Sequence, residues 1–435
     1  MEKIEACMDS HVHWQATGEF SQRLDLSPLN SAAEILKIKP EPQHFRGEWI
    51  FGFGWDQSRW PGGAYPTREI LDQWQPKNPV VLSRCDGHTY WVNSAALKAA
   101  GMLENKSLEI SGGKILRSEL GFPTGVLVDA AKEPIDQVMP KLSPFDIRRQ
   151  LLKGVQIFNE AGFTHIRDMT CNPTQYQEAL KLDQTGLLTL AVEEYFWLEE
   201  MSELSSLLEF CRSAKNSASP NLRVKGLKIF IDGSLGSESA HLSCAYHGGS
   251  HGLSLWADQE LFEIFVKTWD LGLALAIHSI GDAASARVLS LLQKLKERGH
   301  EGEIHIEHAQ VLQPETIEQM REFQITCHLQ PCHFLSDQTW LKQRLGALYH
   351  HSFPWRALQQ AGIPITFGSD SPLEKPSYAN TLLGLEKSAE AGIPKLLGKP
   401  QSYMSHPDHA WCPNSFSIFS ENQPTSVVFR GEHLL

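Results

Sequence analysis

Asp9-Ser10-His11-Val12-His13 places two histidines one residue apart. On an extended strand side chains alternate with period two, so His11 and His13 point to the same side. Two neutral imidazoles held that way make half of a site for a borderline metal such as zinc. Two ordinary, partly buried histidines make the same pattern, and a chain with 19 His holds some close pairs by chance. The reading therefore turns on what the rest of the chain sets beside this strand.

Outward from it, short apolar runs alternate with longer helical patterns, which predicts βα units and a parallel sheet. Between 14 and 142 the pattern is irregular and rich in tryptophan, glycine and proline, with Trp49, Trp55, Trp60, Pro61-Gly62-Gly63 and Trp74. It holds a strand candidate at 79–83 and a helix at 94–100 that Gly101 would stop. This part reads as an inserted small α+β domain. Its tryptophans hint at a partly apolar pocket, although in a small domain they more often form the core.

Regularity resumes at Ser143, a good N-cap, with Pro144 at the first helical position. A helix is expected to about 161. Strands follow at 164–168, 188–196, 223–232, 273–279, 303–309, 325–330 and 363–368. Helices fall at 174–182, 199–214, 282–298, 314–322 and 356–361. With the opening run that makes eight strands and predicts an α/β fold, a (β/α)8 TIM barrel built from 1–13 and 143–375. Residues 376–435 are expected to be a tail with remnant β-strands.

The balance of 39 Lys+Arg against 51 Asp+Glu, net −12, argues against a general nucleic-acid or anionic-membrane binder. Eight cysteines without a CxxC pair read as reduced thiols of a cytoplasmic protein. No apolar run of membrane-spanning length and no signal peptide is visible.

Function in such barrels sits at the C-terminal strand ends. Strand four, Gly226-Leu227-Lys228-Ile229-Phe230-Ile231-Asp232, buries a lysine, which must pair with an acid or be chemically altered. Strand five ends at His278. Strand six offers His305 and His308 on opposite faces, and His308 lies nearer the mouth. Strand seven ends with Gln330 and His333, and strand eight with Asp370. Each has a bland alternative: a salt bridge, a satisfied core histidine, a loop residue or a turn cap. Together they form a ring in chain order that chance rarely builds.

These stretches, with DGHTYWVNSAAL (86–97), GLKIFIDGSLGSESA (226–240), HSIGD (278–282), IEHAQ (306–310), QPCHF (330–334) and FGSDSPL (367–373), resemble the amidohydrolase superfamily of metal-dependent barrel hydrolases. Within it the chain is similar to the YtcJ-like branch, amidohydrolase family 3, from about residue 9 to about 375. The resemblance implies one or two divalent ions, zinc foremost. His11, His13 and Asp370 would bind the first, and His278 and His308 the second. Lys228, carbamylated by carbon dioxide, would bridge them. Asp370 would act as general base toward a metal-activated hydroxide that attacks an amide-type C–N bond other than a peptide bond. His88, Asp232, Gln330 and His333 are the candidate substrate-binding residues. The Asp86, His88, Trp91 and Asn93 cluster could instead be a folding motif of the insertion. Members of the family usually carry a small β-sandwich. Here the N-terminal half is expected to be missing and the tail to lack its helices, leaving the sandwich reduced or absent. The expected partner is a small-molecule substrate, with a homodimer open. The alternatives are a deaminase or esterase on the same metals, or a non-catalytic binding protein on a degenerate barrel.

Overall fold

Eight parallel strands line up in chain order: β1 Met8–Val12, β2 His165–Cys171, β3 Ala191–Trp197, β4 Leu222–Phe230, β5 Ala274–Ser279, β6 Ile304–His308, β7 Ile325–Leu329 and β8 Ile365–Phe367. The computed structural model describes residues 1–85, 87–216, 219–246 and 249–435. Consecutive strands pair from β2 through β8, and β1 pairs with β2. Beyond β8 a parallel bridge between Val12 and Ser371 brings the last strand back to the first. This is the TIM barrel. Strand burial is nearly continuous, as expected where helices cover the outer face.

Helices fill the crossovers: α1 Pro144–Glu160, α2 Pro173–Gln184, α3 Leu204–Lys215, α4 Asp258–Asp270, α5 Asp282–Glu297, α6 Pro314–Met320, α7 Trp355–Gln360 and α8 Tyr378–Glu390. Their positions follow from local chemistry. Ser143 Oγ accepts from Asp146 N–H ahead of α1, and Asn172 caps α2 through Gln175 N–H. In α5, Val288, Leu289, Leu292 and Leu295 recur at helical spacing and are buried.

Several elements depart from the expectation. Helix α4 lies where none was read, its buried Leu261, Ile264, Phe265 and Thr268 stripe following a long polar stretch of sequence. Helix α8 falls in the supposed tail, so the tail does not lack helices. Ser377 caps it through Asn380 N–H. The N-terminal residues are not idle either. Glu2–Glu5 pairs antiparallel with Phe416–Ser420 in a four-stranded sheet completed by Gln423–Phe429 and Glu432–His433. Only Ile4 of that first strand is buried, which is why its alternation was too thin to read.

The chain divides into two compact units, Met1–Gly18 with Ile147–Leu435, and Glu19–Asp146. The second holds a seven-stranded mixed sheet including Trp49–Trp55, Val80–Arg84 and Thr89–Val92. Its core contains Trp55, Trp60, Trp74 and Trp91, each of whose indole N–H donates to a backbone carbonyl. The tryptophans are therefore core. Among the described residues no helix is long and apolar enough to cross a membrane.

Candidate metal centre

The seam between β1 and β8 builds the centre. Asp370 N–H donates to His11 O at 2.8 Å, and His13 N–H donates to Ser371 O at 2.8 Å. Asp9 Oδ1 accepts from Ser369 N–H at 2.8 Å. The approach is close enough that a Cβ on Gly368 would sit 2.5 Å from His11 N, so only glycine fits there. This stitching sets Asp370 Oδ1 2.9 Å from His13 Nε2 and 3.4 Å from His11 Nε2. Ligand atoms of His11, His308 and Asp370 lie within 4.8 Å of one another. The His308 ring is 4.7 Å from that of His11 and 4.5 Å from that of His278.

Each imidazole has one nitrogen fixed from behind. His11 Nδ1 meets Glu307 Oε2 at 2.6 Å, and His13 Nδ1 meets Thr170 Oγ1 at 3.1 Å. His308 Nδ1 donates to Gln330 Oε1 at 2.9 Å, and His278 Nε2 donates to Gly233 O at 3.1 Å. That leaves the other nitrogen of each ring for the centre. His11 Nε2, His278 Nδ1, Lys228 Nζ and Asp370 Oδ1 are buried without a hydrogen-bond partner. Orphaned buried polar atoms are rare. Orientation of ligand rings by outer partners is the usual arrangement around a bound ion. The donor set, neutral imidazoles with a carboxylate, fits a zinc-like cation.

Backbone strain marks the same residues. His308 has φ +74° and Asp370 φ +61°. Such left-handed conformations at non-glycine residues cost roughly 1–3 kcal/mol each and concentrate at functional sites. The turn at His308 breaks strand alternation, so neighbours Glu307 and His308 both contact His11.

Electrostatics favour the ligand forms of His278, His308 and Asp370, though not of His11. Burial pulls His278 down to about 3, and burial with His278 and His11 beside it takes His308 well below its ordinary value, which favours neutral rings. Burial would raise Asp370, but His11 and His13 outweigh it and hold the carboxyl well below the usual range. Burial pulls the Lys228 amine down to about 8 against Glu307 and Asp370. For His11, burial and Lys228 act downward, yet Asp370 and Glu307 leave it raised.

The expected ligands His11, His13, His278, His308 and Asp370 thus converge, with Lys228 buried beside them and no hydrogen-bond partner to its amine. The expected substrate residues fare differently. His333 Nε2 sits 3.5 Å from Asp370 Oδ2 and faces a cavity of about 360 Å3 shared with His278, His308 and Asp370. Asp232 is a correction: its oxygens accept from His241, Ile280 and Gly281 N–H, so it clamps a loop and offers no face to a ligand. Gln330 is another, being buried with its amide occupied by His308 and His328 O. His88 is exposed on the second unit with Nδ1 3.1 Å from Asp129. Asn93 there bonds Val80, Ala96, Gln75 and Asn78, a folding role, and Asp86 lies outside the described residues.

Three contributors went unread. Glu307 anchors His11 and accepts from Arg167 Nη2 at 3.2 Å. Arg167 also donates to Ser10 O at 2.7 Å. Gln310 lines the cavity and reaches His333. A signal existed for Glu307, an acid inside an apolar strand directly before a candidate ligand.

Fold and donor set together define a barrel metallohydrolase class. The match to the amidohydrolase family model spans residues 6–403. The chain is 30% identical over 394 residues to YtcJ of Bacillus subtilis (strain 168), across 88% of this chain and 72% of that one. It is 24% identical over 410 residues to the N-substituted formamide deformylase of Arthrobacter pascens, across 89% and 74%. A crystal structure of an uncharacterized metal-dependent hydrolase from Pyrococcus horikoshii OT3 shares the fold, with TM-score 0.74 at 23% identity, covering 94% of this chain and 79% of that one. The chain belongs to the amidohydrolase family, and is a metal-dependent hydrolase of the YtcJ-like kind.

Proposed function

We propose that this chain hydrolyses an amide-type carbon–nitrogen bond, other than a peptide bond, in a small molecule. The observation that carries the reading is the arrangement of four imidazoles, each pinned on one nitrogen, around Asp370, with His11 Nε2 and His278 Nδ1 buried and unpartnered. The formamide-cleaving name of the Arthrobacter pascens relative supports a C–N bond. In this reading His11, His13 and Asp370 would hold a first zinc ion and His278 and His308 a second, and Lys228, as a carbamate, would be a further ligand. Burial pulls its partnerless amine down to about 8, which raises the share of the neutral form, the nucleophile that reaction with carbon dioxide needs. When bound, the metal lowers the pKa of water toward about 7 and polarises a carbonyl.

The chain's own residues do the rest. Asp370, ionised, takes a proton from the attacking water as its oxygen bonds to the carbonyl carbon. As the C–N bond breaks, Asp370 gives that proton to the leaving nitrogen. His333, beside Asp370 Oδ2, fixes the carboxylate and faces the substrate cavity. The Arg167–Glu307 pair holds the His11 ring in one tautomer. Eight cysteines without a CxxC pair, six of them buried, support a reducing, cytoplasmic setting. The test is a screen of N-acyl compounds for amine release. Release that is lost on chelation, restored by zinc and absent in His11→Ala is expected. Activity on esters alone would overturn the reading.

A further inference from the structure

We propose that Asp168, Cys171 and Glu194 form a second, buried cation site on the outer side of the barrel wall. Asp168 and Glu194 stand opposite each other in the β2–β3 register. Side-chain alternation puts them on the face away from Arg167, whose guanidinium reaches Glu307 and Ser10. Helix α2 covers this face, since the Gln175 amide donates to Asp168 Oδ2. A carboxylate oxygen of each acid and the Cys171 Sγ lie within 4.8 Å of one another, and all three residues are buried.

The two acids differ in a telling way. Asp168 has donors: Trp14 N–H at 3.0 Å, Thr170 N–H at 3.4 Å and the Gln175 amide. Glu194 is 0% exposed, and its oxygens face only Asp168 and Cys171, with no hydrogen bond from outside the cluster. Two carboxylates side by side in a low-dielectric layer repel strongly unless a cation or a proton lies between them. The Cys171 thiol, which donates to Asn172 O at 3.7 Å and lies within reach of both acids, tips the choice toward a cation. Zinc binds thiolate at about 2.3 Å and carboxylate oxygen at about 2.0–2.2 Å, so small side-chain movements would let these atoms share one ion. Sulfur with oxygen selects zinc or cobalt over magnesium or calcium. On binding, the Cys171 thiol releases its proton to water and becomes the thiolate ligand. The proposal stands apart from the hydrolase reading, whose ligands contain no sulfur.

That difference supplies the test. The full chain, in a Cys85→Ser/Cys244→Ser background that removes the exposed thiols, is loaded with cobalt(II) and washed with a chelator. The result expected is a near-ultraviolet thiolate-to-cobalt charge-transfer band that persists in Asp370→Asn and disappears in Cys171→Ser. Glu194→Gln should weaken cobalt retention at this band about tenfold or more. Absence of the band in a chain whose imidazole-bound cobalt is visible would overturn the proposal, leaving a carboxyl pair that shares a proton. So would a band that survives Cys171→Ser. If Cys171→Ser does not fold, Glu194→Gln alone decides: an unchanged band contradicts the site.

Discussion

The two ends of the barrel use the same residue types to opposite effect. At the lower end Glu193 lies 3.1 Å from His406 Nε2, 3.6 Å from Arg167 Nε and 4.0 Å from Lys225 Nζ. His165 stacks on His406 at 5.2 Å, and Trp411 packs against both rings. Cations surround the acid, and its charge is answered within the protein. At the upper end His11, His13 and His308 surround Asp370, but His278 Nδ1 and Lys228 Nζ find no hydrogen-bond partner. Arg167 joins the two ends, touching Glu193 below and Glu307 above. A buried histidine–carboxylate cluster is therefore not by itself a functional signal. The lower cluster also leaves His165 Nε2 and Arg167 Nε without a hydrogen-bond partner, but there lysine and arginine answer the acid's charge, whereas the upper site gathers several unanswered ligand-type atoms around one carboxylate.

The sharpest way to break this contrast is Asp370→Asn. Loss of the proton carrier should lower kcat by roughly 10^2–10^4, with circular dichroism unchanged. A variant retaining near-full turnover would remove Asp370 from its role. Glu307→Gln should come next, weakening metal affinity roughly 10- to 100-fold through loss of the His11 anchor. Competition with a chromophoric chelator measures it, and an unchanged affinity would make Glu307 merely structural. Gln330→Ala, which frees His308 Nδ1, should act in the same direction by about tenfold or less.

The lower end should respond to pH instead. Burial opposes it, but His406, Lys225 and Arg167 hold Glu193 from the ordinary 4.5 down to about 2. A depressed folded-state value gives stability that is present above about 4.5 and lost as pH falls toward 2. The size is about 3 kcal/mol. Burial takes His165 from 6.5 to about 3, which adds an acid-side loss starting near 6.5, since the unfolded ring protonates first. Urea unfolding across this range should show Glu193→Gln with a flatter acid limb than the parent and unchanged turnover at neutral pH. An identical limb would mean that the lower cluster is not what acid attacks.

Much of this was legible in the chain. The strands show because apolar runs end in His11, His278, His308 and Asp370, and burial on both faces keeps those runs unbroken. The candidate ligands show because the strand ends follow chain order. Illegible were residues whose role depends on a neighbour far away in sequence. Glu307 acts on a ring 296 residues distant, and Arg167 on both. Alternation also misleads where the backbone leaves the strand, as at His308. Asp232 and Gln330 were read as pocket residues because their positions match strand ends. Backbone amides and a histidine claim their polar atoms first.

The most direct measurement is anomalous diffraction at the zinc edge from crystals of the zinc-loaded chain. The account predicts a peak within bonding distance of His11 Nε2, His13 Nε2 and Asp370, with electron density continuing beyond Lys228 Nζ. A folded barrel with no peak there and an unmodified Lys228 amine salt-bridged to an acid would contradict it.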